Sequence, residues 1–94
     1  MMAIETKPWD VTEILDSPEA IAAYLDAVLE ERDPAFFRKA LGDVARAVGM
    51  SKLATDSGVT REALYKALGE NGNPTLDTLT RITGALGVRL SIAA

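Results

Sequence analysis

Arg61, Glu62, Tyr65 and Lys66 are the side chains whose types and spacing could do chemistry together. On a helix, positions one, two, five and six of such a run share one face. Two cations, a carboxylate and a phenol on an exposed helical face suit recognition rather than bond-making. They can donate and accept hydrogen bonds at base edges and balance phosphate charge, as a helix laid in the major groove of DNA must. Nothing in the chain offers the alternative of catalysis by the usual groups. It has no cysteine and no histidine, which removes thiolate nucleophiles, disulfides, Cys/His zinc sites and histidine acid–base chemistry.

The stretch that must position these residues is Met50 to Leu68, MSKLATDSGVTREALYKAL. It predicts two short helices joined by a tight turn, a helix-turn-helix unit. Ala54, four residues before Gly58, is small enough to let the helices cross closely. Gly58 can take the positive φ that ends the first helix. Val59 drops an apolar side chain under the turn, and Thr60 can cap the second helix. Leu53, Leu64, Ala67 and Leu68 point inward. An ordinary helical hairpin can also end on a glycine. The apolar offsets, the short second helix and its outer face of two cations and a tyrosine favour the DNA-binding reading.

Ninety-four residues make one small domain, and its apolar content of 48% with only 5% aromatics predicts a core of Ala, Leu, Val and Ile. The net charge of −4 is unevenly placed. Residues 1–33 hold nine acids against Lys7 and Arg32, whereas residues 34–94 hold eight bases against five acids. The second part is therefore where DNA affinity should lie. The acidic first part fits a basic partner and equally a solvated acidic helix. No apolar run is long enough for a membrane span and the N-terminus is not signal-like, so a soluble, cytoplasmic protein without a membrane partner is expected.

In order, residues 1–17 show no clear helical period until Val11, and the stretch TKPWD, with Pro8 and Trp9, reads as an extended lead; Trp9, Val11, Ile14 and Leu15 can pack on the domain or on a partner. Ser17 and Pro18 open a helix to about Arg32, with Ala20, Ile21, Tyr24, Leu25, Val28 and Leu29 as its apolar stripe. Asp26, Glu30 and Glu31 on its other face have no histidine or second acidic cluster to complete a metal site, so they read as solvated. Asp33 and Pro34 open the next helix, with Phe36, Phe37, Ala40, Leu41, Val44, Ala45 and Val48 inward and Gly42 at a close helix crossing. Gly69, Asn71, Gly72, Asn73 and Pro74 form a turn-rich loop. Thr75 caps a last helix with Leu76, Leu79, Ile82, Thr83 and Leu86 inside, ended by Gly87. Residues 88–94 alternate apolar and polar, which predicts a short C-terminal β-strand. A lone strand must pair, and pairing with its own copy would give a homodimer; fraying into solvent is the alternative. Residues 1–33 thus form an acidic lead and helix, and residues 34–94 the helix-turn-helix part of a single unit. No cofactor is indicated.

The runs YLDAVLEERDP, ALGDVARAVGMSKLATDSGVTREALYKALGENGNPTLDTL and ITGALGVRLSIAA closely resemble the small bacterial antidote proteins of addiction modules. The segment TREALYKALGENGNPTLDTL is the most specific part of the likeness, which covers nearly the whole chain. The resemblance implies an all-α, five-helix lambda-repressor/Cro-like domain behind an acidic helix. It implies a cognate small basic toxin of the ribonuclease type, neutralised by this protein as the antitoxin of a type II module. It further implies repression of its own operon through double-stranded, palindromic operator DNA. Carried onto this chain, the residues facing base edges are Thr60, Arg61, Glu62, Tyr65 and Lys66. Arg61 suits bidentate pairing with guanine O6 and N7, worth about 1–3 kcal/mol of discrimination. Glu62 can accept from a cytosine amino group or orient Arg61. Lys66, Lys52 and Ser51, with the backbone N–H groups beside Ser51, suit phosphates.

Two other functions compete. A stand-alone Cro-like regulator would need no toxin, and a protein-interaction module would have lost DNA binding altogether. An enzyme is not expected, because no residues are arranged around a pocket.

Overall fold

Four side chains start four of the helices. The computed structural model describes residues 17–94, and the expectations for the extended lead and for Trp9, Val11, Ile14 and Leu15 lie outside them. The Ser17 hydroxyl accepts from the Ala20 N–H at 3.1 Å and starts α1 (Pro18–Leu29). The Asp33 carboxylate accepts from Ala35 and Phe36 at 3.1 and 3.2 Å and starts α2 (Pro34–Val48). Thr60 and Thr75 accept from Ala63 and Thr78 at 3.0 and 3.1 Å, starting α4 (Arg61–Leu68) and α5 (Leu76–Ala85). Between them α3 (Met50–Ser57) follows Gly49 and has no side-chain cap. Such caps satisfy backbone donors that a helix's first turn leaves free.

The helix ends follow the same logic. Gly58, at φ 75° and ψ 9°, is left-handed and stops α3. Gly87 at φ 82° ends α5, and its N–H and that of Val88 return to the carbonyls of Gly84 and Thr83 at 3.1 and 3.0 Å, the paired closure known as a Schellman motif. The first helix stops at Leu29, three residues before the expected Arg32. Glu30, Glu31 and Arg32 each donate to a carbonyl only three residues back, tightening the chain until Arg32 reaches a positive φ of 55°.

The central helix is α2, which packs against α1, α3 and α4; α3 in turn packs on α4 and α5. Leu41, Val44, Leu53, Leu64 and Ile82 are fully enclosed where these helices meet. At Gly42 a Cβ would lie 3.4 Å from the Leu68 carbonyl oxygen, so α2 and the end of α4 do cross closely there.

Three apolar residues expected inside are exposed: Leu76, Leu29 and Phe36, at 72%, 49% and 44%. Leu76 is the first residue of α5, and helical side chains slant toward the N-terminus. It therefore leans past the core, while Leu79, Ile82, Thr83 and Leu86 cover it. Phe36 lies in the first turn of α2, where Phe37 takes the inward place. Leu29 closes α1 at its solvent end.

The predicted C-terminal strand does not form: all five elements among the described residues are helices. Val88 packs on the core, but residues 89–94 are exposed and Ile92 is completely so. Alternation sets which face a strand would bury, not whether a partner exists for its backbone. No described segment lies extended beside the tail, and the argument for pairing two copies through it goes with the strand.

Candidate nucleic-acid interface

The residues singled out in the sequence lie on α3, the three-residue turn Gly58–Thr60, and α4. Leu53 and Leu64, at 1% and 0% exposure, hold the two helices together from beneath, with Ala54 and Val59 packed at the edge of the core. The sequence reading missed Ser57. It is buried, and its hydroxyl accepts from the Val59 N–H at 3.2 Å, bracing the turn from inside. The signal was present, since a serine ahead of a Gly-Val step can fold back on the backbone two residues on.

On α4 the outward face is as expected: Arg61, Glu62, Tyr65 and Lys66 are all exposed. The Arg61 guanidinium sits over the Tyr65 ring, 5.5 Å from its centroid, and its Nη2 donates a long hydrogen bond of 3.4 Å to the Tyr65 hydroxyl. Such an exposed cation–π contact contributes roughly 0.5–1 kcal/mol, enough to bias the rotamer. Tyr65 therefore takes the orienting role considered for Glu62. The i, i+4 spacing of Arg61 and Tyr65 was the sequence clue to this pair. Lys66 stands in the last turn of α4 and enters no ion pair among the described residues. Thr60 has its oxygen committed to the Ala63 N–H, which leaves its hydroxyl proton as the group free to donate.

Ser51 and Lys52 lie in the first turn of α3. Because Gly49 offers no capping side chain, the N–H groups of Met50, Ser51 and Lys52 have no intrahelical acceptors, and the positive end of the helix dipole lies with them. Lys52 is not free, however: its Nζ is 2.7 Å from Asp56 Oδ2 one turn on. The Ser51 carbonyl accepts from the Thr55 hydroxyl at 3.1 Å. A further cation reaches the turn: Arg81 of α5, paired to Asp77 at 3.0 Å, brings its Nη1 within 3.6 Å of where a Gly58 Cβ would sit.

The other tyrosine belongs elsewhere. Tyr24 on α1 is partly enclosed, and burial first, then the charge of Asp43, raises its phenol above the ordinary range. No helix among the described residues is long and apolar enough to cross a membrane.

Comparison with known proteins bears on what this surface serves. A family model described as "probable addiction module antidote protein" matches residues 5–94. A relative from Haemophilus influenzae, carrying only the name "uncharacterized protein", is 43% identical over 91 residues, spanning 97% of this chain and 94% of its own length. No solved structure matches the chain.

Proposed function

This chain belongs to the family of probable addiction module antidote proteins, and on that premise we propose that it is the antitoxin of a type II module. It neutralises a small basic toxin of the ribonuclease type and represses its own operon by sequence-specific binding of double-stranded DNA in the cytoplasm; a homodimer is what the two half-sites of a palindromic operator call for, through a surface other than a C-terminal strand. The observation that carries the DNA-binding half is the α3–turn–α4 unit. A left-handed Gly58 and a capping Thr60 set two short helices around a shared leucine core, and the outer face of α4 presents Arg61 held by Tyr65. This is a helix-turn-helix, with α4 entering the major groove and the uncapped start of α3 meeting the phosphates.

The division of labour is testable by gel shift on the chain's own promoter and on unrelated duplex. Arg61→Ala should weaken cognate binding by about 1–3 kcal/mol and leave unrelated DNA nearly untouched. Lys52→Ala should weaken both alike and reduce the salt slope by about one phosphate's share. Equal losses on both DNAs for both variants would refute the assignment. Binding to promoter DNA without any toxin partner would leave a stand-alone regulator, and no salt-dependent binding to any duplex would leave a protein-interaction module.

A further inference from the structure

Away from α3 and α4, a groove of about 440 Å³ runs between α1 and the chain that follows α5. Gly87 turns the tail back toward the start of α1, where the Pro18 ring comes within 3.1 Å of a Cβ built on that glycine. Leu25, Phe37 and Thr83 form the floor, Ala22, Ala23 and Leu29 one wall, and Val88 to Ser91 the other. The rim is apolar where it has no need to be: Leu29 and Leu90 are 49% and 42% exposed. Ala22 and Ala23 are exposed too, so another backbone can approach α1 closely. At helical spacing around these residues stand Glu19, Asp26 and Glu30. No base occurs between Lys7 and Arg32, and Arg89 is the sole cation among the groove's lining residues.

We propose that this groove is the docking surface for a basic protein partner. The partner buries an apolar side chain between Leu29 and Leu90 and lays cations along Glu19, Asp26 and Glu30. The inference rests on the antidote reading and gives its toxin a place. Charge decides the occupant. Nucleic acid would bring phosphates against carboxylates, and a second copy meeting this face across a two-fold axis would set acids against acids. Residues 1–16 of the chain, with Glu5, Asp10, Glu13 and Asp16 against Lys7, carry the same sign as α1. Because α1 packs chiefly on α2, a partner seated here leaves the outer face of α4 open, so toxin and DNA can be held at once.

The test is calorimetric titration of the full chain with the basic protein encoded beside its gene. Asp26→Lys and Leu90→Ser should each weaken the complex about tenfold or more, with helicity, melting temperature and promoter binding unchanged. Arg89→Glu should tighten it, a gain that misfolding cannot produce, and the gain should shrink in high salt. A wild-type complex that all three variants leave unaltered would overturn the groove assignment while the antidote reading stands. No complex with the wild-type chain would overturn both. Self-association lost in Leu90→Ser would instead give the groove to a second copy. Partner binding that tightens when residues 1–16 are deleted, with the three variants silent in that background, would give it to the chain's own N-terminal segment.

Discussion

The α3–turn–α4 unit and the α1–tail region are built from similar residues yet differ in how their structure is secured. In the first, every instruction is answered within a few residues. Gly58 ends α3, Ser57 braces the turn, Thr60 starts α4, and Leu53 and Leu64 are enclosed in the core shared with α2. In the second, apolar residues outnumber the places available for them. Leu29, Leu90 and Ile92 remain in solvent, and among the described residues the alternating tail pairs with no strand. The first region spends its apolar side chains on holding a polar face still. The second leaves apolar and acidic groups outward, which is how a surface looks when its complement is another molecule.

The sharpest way to break this comparison is to truncate one leucine in each region. Leu64→Ala removes a fully enclosed side chain at the centre of the core and should cost about 2–5 kcal/mol in urea unfolding. Leu90→Ala, on the exposed tail, should stay within about 0.5 kcal/mol. Comparable losses would mean that the tail is part of the core and that the two regions are not different in kind.

What could be read from the sequence divides along the same line. The five helices, Ser17, Asp33, Thr60 and Thr75 as caps, and the close approach at Gly42 were all legible, because each depends on chemistry local to a helix or on a missing side chain. The outward set Arg61, Glu62, Tyr65 and Lys66 was legible for the same reason: helical period alone assigns the face. Leu76 and Phe36 were misplaced because periodicity says which side a residue lies on, not whether a neighbour reaches that far along the helix. The C-terminal strand was misread because a ladder needs a second backbone, a non-local fact that a period of two cannot contain. The i, i+4 spacing of Lys52 and Asp56 was visible, but spacing alone does not say whether a cation turns to its helical neighbour or to a group outside the molecule.

A smaller effect sharpens the contrast between glycines that end helices and one that merely lies within a helix. Gly58→Ala places a Cβ in ordinary contact with Arg81, so crowding is minor. The left-handed φ of 75° is what an alanine resists, at about 1–2 kcal/mol. Gly84 lies within α5 with nothing within 4 Å of its Cβ position. Gly84→Ala should therefore stabilise the protein by roughly 0.5–1 kcal/mol through lower backbone entropy in the unfolded chain. Paired thermal melts would show shifts of opposite sign. A loss at both positions would mean that α5 needs its glycine for packing that the fold does not display.

The smallest effect on stability comes from the ion pair at the foot of α3, and it bears most directly on what that helix does. Lys52 and Asp56 are 2.7 Å apart, but their side chains are 67% and 41% exposed, and the lysine precedes the acid, the weaker order for such a pair. Asp56→Asn should then change stability by only about 0.2–0.5 kcal/mol. On the DNA-binding reading its larger consequence is electrostatic. Removing the carboxylate releases Lys52 beside the three free N–H groups that begin α3, where a phosphate would sit. Binding to any duplex should strengthen and fall more steeply with salt, by up to about one phosphate's share of the slope, while the preference that depends on Arg61 stays as it was. An unchanged slope would mean that Lys52 does not face the backbone of the DNA, and the phosphate contact would pass to Lys66 at the other end of the unit.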